Sequence, residues 1–147
     1  MRSAGRKIIR QTDTRRVVAL IRVKRVYTAP SEEDGFRILV DRLWPRGLSK
    51  SGAKVDLWLK DISPSNELRR WYSHDPQKWA AFQERYAREL AQKQALIERV
   101  RGLEAKEGTV TLLFSSKEEK YNNAVALRIR LGIPTRPSRA RLKTRAA

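Results

Sequence analysis

Basic and hydroxyl-bearing side chains collect where the apolar runs of this sequence stop. The stretch "VDRLWPRGLSK" puts Asp41, Arg42 and Arg46 just after the apolar run Phe36–Val40. Lys60, Asp61, Ser63 and Ser65 end or follow the run that begins at Leu57, and Ser115, Ser116 and Lys117 follow "TVTLLF". Guanidinium forks and ammonium groups beside short hydroxyl donors suit a phosphate, a carboxylate or a nucleic-acid backbone. On this reading Arg42, Arg46, Lys60, Ser65, Arg69, Lys117 and Asn123 are the candidate substrate-binding residues. Asp41, Ser115 and Asn122 are the candidate catalytic or orienting groups. A plainer reading stands beside it, in which Asp41 pairs with Arg42, Arg46 or Arg69 in a static network that fixes the loop.

Several chemistries are excluded or disfavoured by residue type. The chain has no cysteine, which removes disulfides, thiolate metal sites and thiol nucleophiles. With a single histidine and no paired-carboxylate spacing, the sequence predicts no metal site. No Walker loop and no G-x-G-x-x-G occurs, so no cofactor is expected. His74 and Asp75 are sequence neighbours, and no G-x-S-x-G elbow supplies a nucleophile for them. His74 therefore reads as an exposed or capping residue near a helix start.

These groups need a scaffold, and the apolar periodicity outlines one. "IRVKRVY" alternates as a strand with one wetter face, and "FRILV" reads as a more buried strand stopped by Pro45. The eight residues "TAPSEEDG" between them are short for a helical crossover, so the first strand either pairs antiparallel with the second or takes an edge. Gly47–Asp56 reads as a flexible loop and Leu57–Ile62 as a third strand. Helices follow, with Ser63 or Ser65 as one cap and Asp75 before Pro76 as another. Trp79, Phe82, Tyr86 and Leu90 form one apolar stripe. Ala95 to Lys106 continues helically to a stop at Gly108. Thr109–Phe114 is the clearest buried strand, and a last helix carries Ala124, Leu127 and Leu131 on one face. The four tryptophans are spread over separate elements and read as packing residues. The expected fold is an α/β layered sandwich: a small, mostly parallel sheet of about four strands flanked by helices. Its two most apolar strands, Phe36–Val40 and Thr109–Phe114, should be central, parallel neighbours. Ligands of such sheets bind beyond the carboxyl ends of the strands, where helix N-termini add free N–H groups.

The segments "DGFRILVDRLWPRGLSK", "WLKDISPSNELRRWYSHDPQKWAAFQERYARELA" and "VTLLFSSKEEKYNNAVAL" resemble the YeaO-like family of bacterial proteins, catalogued as domain of unknown function 488. The resemblance covers about residues 22–131 and implies no named reaction. More distant relatives are similar in a "DVR…P.S" stretch that matches Asp41 and Arg42. Their cysteine and cysteine-histidine positions fall near Phe114 and Ser115, and near Asn122 and Asn123, so thiol or metal chemistry does not carry over.

The formal net charge of +17 is unevenly placed. Residues 1–25 hold nine Lys and Arg against Asp13 alone, and Arg136, Arg139, Arg141, Lys143 and Arg145 crowd the last twelve residues without an acid. This predicts a basic N-terminal flank at 1–20, a folded domain at 21–135 and a basic tail at 136–147. No transmembrane run is visible, which points to a cytoplasmic protein without membrane partners. Two functions of different class follow. One is a small enzyme or ligand-binding domain for an anionic molecule at the strand ends. The other is a non-catalytic nucleic-acid-binding or interaction module using the flanks by counterion release. The residues assign no oligomeric state.

Overall fold

A computed structural model describes residues 20–133. The elements run β1 (Leu20–Arg25), β2 (Phe36–Leu39), α1 (Lys50–Ala53), β3 (Leu57–Trp58), α2 (Asn66–Tyr72), α3 (Trp79–Ala91), α4 (Gln94–Glu107), β4 (Thr109–Phe114) and α5 (Asn123–Leu131). The strands form one parallel sheet in the order β1-β4-β2-β3. β4 and β2, the two most apolar strands, are the central neighbours, with Ile38 opposite Leu112 and Leu39 opposite Leu113. Successive side chains of a strand face opposite sides, and both sides are covered here. Ile38, Val40, Val110, Leu112 and Phe114 pack against the helices through Leu68, Phe82, Tyr86, Val100 and Leu127. Val26, Leu39 and Leu113 face a smaller cluster closed by Ala53, Trp44, Leu48, Val55 and Trp58.

The first strand takes the edge and runs parallel, which rules out the antiparallel alternative. Its short connection to β2 steps over β4 without a helix. A 3-10 turn, Glu32–Asp34, does the work, held by a reciprocal cap in which the Glu33 N–H donates to Ser31 Oγ and the Ser31 N–H to Asp34 Oδ2. Gly35, at φ 65°, then lets the chain pass against β4, since a Cβ there would stand 2.3 Å from the Thr109 carbonyl oxygen. Asp34 is 1% exposed and accepts from Lys24 Nζ on β1 at 3.0 Å and from the Arg37 guanidinium on β2. Burial alone would raise its carboxyl pKa, but hydrogen bonds from Lys24, the Ser31 N–H and Arg37 outweigh it and hold the group below its ordinary value.

Two other expectations needed correction. Gly47–Asp56 is not wholly loop, because Ser49 Oγ accepts from the Gly52 N–H and starts α1. The third strand is only Leu57–Trp58. Leu59 breaks from extended geometry, and Lys60–Ile62 closes into a 3-10 turn capped on by Ser63.

Candidate functional site

The chain leaves β2 through Asp41 and climbs over the carboxyl edge of the sheet. Pro45 is buried and Gly47 takes φ 81°, a tight path that brings Arg46 back toward the sheet edge. Beyond the ends of β1, β2 and β4 lies a cleft of about 470 Å³. Asp41, Arg42, Arg46, Arg69, Ser115, Lys117 and Asn123 line it, together with Arg25, Tyr27, Trp44, Tyr72 and His74. Seven of the ten residues singled out from the sequence therefore meet in one place.

Asp41 sits at the centre of the polar wall, held entirely by neutral donors. The Ser115 N–H and Oγ–H donate to its Oδ2 at 2.9 and 2.7 Å, and Asn123 Nδ2 donates to its Oδ1 at 3.1 Å. The Trp58 indole N–H donates to its carbonyl oxygen at 2.8 Å. These bonds tie the ends of β2, β3 and β4 and the start of α5 to one residue. No ion pair within 4 Å joins Asp41 to Arg42, Arg46 or Arg69 among the described residues, so the static network is not formed.

The same holds for the other cations of the cleft. Arg25, Arg42, Arg46, Arg69 and Lys117 have no carboxylate partner among the described residues. Arg25 Nε donates to the Ser116 carbonyl at 2.9 Å and its guanidinium lies 4.7 Å from the Tyr27 ring centre. The Tyr27 hydroxyl donates to the Arg46 carbonyl at 2.7 Å, so the β1 end braces the loop that carries Arg46. Arg42 reaches the Ser63 carbonyl at a long 3.5 Å, while its Nε is buried with no partner among the described residues. Lys93 Nζ donates to the same Ser63 carbonyl and to that of Asp61, and burial lowers the lysine's pKa.

Three of the sequence candidates lie outside the cleft, each held in another role. Ser65 caps α2, but Glu89 accepts from both its N–H and its Oγ–H, at 2.8 and 2.6 Å. The chain's own carboxylate thus occupies the anion position that this helix start offered. Asn122 is fully buried as the cap of α5, accepting from the Val125 N–H and donating to the Glu118 carbonyl. Lys60 lies over the Trp58 ring at 4.7 Å.

The apolar wall escaped sequence reading. Tyr72 stacks on Phe82 with ring centres 4.2 Å apart, and its hydroxyl donates to the Tyr121 carbonyl at 2.7 Å. Burial, helped by Glu118 and Asp75, pushes its pKa up to about 12, so the phenol is a donor and not a base near neutrality. Ser73 and His74 both take left-handed backbone, at φ 44° and 56°, in the turn that ends α2. That turn brings His74 to the cleft, with its ring centre 5.9 Å from Tyr72. Non-glycine residues in this region store strain and gather at ligand sites.

Comparison with known proteins places the chain. The DUF488-N3i family, described as an inactive DUF488-N3 subclade, matches residues 20–139. YeaO of Escherichia coli strain K12, an uncharacterized protein, is 44% identical over 107 residues, which are 73% of this chain and 92% of that protein. The chain belongs to the YeaO-like DUF488 family. The uncharacterized protein Rv3073c of Mycobacterium tuberculosis strain H37Rv is 47% identical over 78 residues, 53% of this chain and 66% of the relative. No solved structure matches this YeaO-like chain. Among its described residues no helix is long and apolar enough to cross a membrane.

Proposed function

We propose that this YeaO-like domain binds an anionic, phosphate- or carboxylate-bearing molecule in the cleft beyond the carboxyl ends of β1, β2 and β4, and that it does so without catalysing a reaction. One observation carries the reading: five cationic side chains line a single cleft with no carboxylate partner among the described residues. Cations held close together repel one another, and the repulsion is relieved when an oxyanion enters. The orphaned Arg42 Nε–H adds an unmet donor in the same wall.

Binding is favoured over catalysis by the way Ser115 and Asp41 are used. Both donors of Ser115 point at one carboxylate oxygen, which fixes the strand end and leaves Oγ engaged. No histidine bridges the two, and Tyr72 is held protonated. The description of the matching subclade as inactive agrees with this. The test is calorimetric titration of inorganic phosphate into the full chain. Measurable binding that weakens several-fold in Arg46→Ala and in Lys117→Ala supports the reading; heat that is indifferent to both substitutions sinks it.

The uneven charge of +17 favours a second reading, a polyanion held by the basic flanks. Nucleic-acid binding that disappears in residues 21–135, while phosphate binding persists, would assign the two activities to different parts of the chain.

A further inference from the structure

An oxyanion alone accounts poorly for two features of the cleft. The first is Asp41, a carboxylate set among cations, where it repels an incoming anion. It is not spent on any of those cations, it lines the cleft, and its oxygens are positioned by Ser115 and Asn123. A carboxylate oxygen accepts two hydrogen bonds, and Oδ1 takes one among the described residues, from Asn123. A carboxylate so placed serves a ligand that donates, such as a hydroxyl. The second feature is an apolar lining: the half-buried Trp44 and the buried Pro45, Pro64, Tyr72 and Phe82 border the cleft, and Leu43, 69% exposed, stands at it. At about 470 Å³ the cleft falls within the roughly 300–1,000 Å³ of sites that take drug-sized molecules. A bare phosphate needs neither that space nor an apolar side.

We infer that the ligand is a nucleoside monophosphate, with its phosphate on Arg42, Arg46 and Lys117, a ribose hydroxyl donating to Asp41, and its base against the half-buried Trp44 ring. The inference rests on the anion-binding reading above and adds the two parts of the ligand that are not anionic. Cations, a hydroxyl acceptor and an apolar wall within one cleft match, in kind, the three parts of such a molecule. Aromatic walls accept any base face, so the arrangement selects the class and not the base.

The experiment compares adenosine 5′-monophosphate, ribose 5-phosphate and inorganic phosphate by calorimetry on the full chain. Affinity should fall in that order, with the nucleotide at least ten-fold tighter than phosphate. On the ligand side, 2′,3′-dideoxyadenosine 5′-monophosphate should bind about ten-fold more weakly than its parent. On the protein side, Asp41→Asn should weaken the nucleotide and leave inorganic phosphate equal or tighter, since a repelling charge is gone. The dideoxy comparison needs no variant and stands even if Asp41→Asn fails to fold. Phosphate binding as tightly as the nucleotide, or a dideoxy ligand as good as its parent, overturns the inference and leaves the anion reading intact. No binding by phosphate or nucleotide overturns both.

Discussion

The two ends of β2 each carry an aspartate among basic side chains, and they use it in opposite ways. At the start of the strand Asp34 is buried and paired with Lys24 and Arg37, so the charges of that corner are spent on one another. Arg37 goes further and donates to the Lys54 and Ala53 carbonyls, so that each of its three nitrogens is engaged in holding the crossover. At the end of the strand Asp41 is held by a serine, an asparagine and backbone, and the cations nearby have no carboxylate partner among the described residues. One corner is closed electrostatically and holds the fold; the other is left open. Counting charged residues does not separate the two, but the identity of the donors on each carboxylate does.

The contrast breaks first at Asp34. Asp34→Ala leaves the buried Arg37 and the half-buried Lys24 without their counter-charge and should cost about 3–5 kcal/mol in urea unfolding; a cost near zero would show that the cluster is incidental. Because its pKa is lowered in the folded state, Asp34 contributes stability fully above the unfolded carboxyl value of about 3.9. That contribution drains away as pH falls through this value toward the folded one. The gap in urea midpoint between wild type and Asp34→Ala should therefore be wide at neutral pH and narrow below about pH 4. A gap that is unchanged on acidification would remove the ion pairs from the explanation. Gly35→Ala comes next, with a left-handed backbone and a clash against Thr109 expected to cost about 1–3 kcal/mol by thermal melting. A neutral result would mean that the crossover can shift.

At the open corner the stability effects should nearly vanish. Arg46→Ala and Lys117→Ala should each change unfolding free energy by no more than about 0.5 kcal/mol, because both side chains are exposed and relief of repulsion offsets lost contacts. A loss comparable to that of Asp34→Ala would make Arg46 a structural residue and erase the difference between the two ends. Smallest of all should be His74→Gln, which keeps a polar side chain on the same strained backbone; a large drop in melting temperature would show that the imidazole holds the turn.

Much of this was legible in the sequence, for identifiable reasons. Continuous apolar runs marked β2 and β4 as central because both faces of a parallel strand are buried, and Pro45 marked where β2 stops before Arg46. Arg25 was hidden because its place in the cleft depends on β1 running parallel, and the crossover that permits this rests on Asp34 and Gly35 instead of on helical periodicity. Ser65 looked available because nothing local announces that Glu89, 24 residues on, will reach it. Asn122 showed a cap's residue type, but only burial shows that the cap role uses up its side chain. Tyr72 and His74 belong to the site through a left-handed turn at Ser73, a conformation that serine does not signal.

The central claim is that the cations at the carboxyl end of β2 are open to an anion while those at its start are not. Titration of inorganic phosphate followed by amide chemical shifts tests it residue by residue on the full chain. Saturable shifts should gather at residues 41–47 and 115–117, with the amides of 31–37 unmoved. Shifts of equal size at both ends of the strand, or none at residues 41–47 and 115–117, would contradict it.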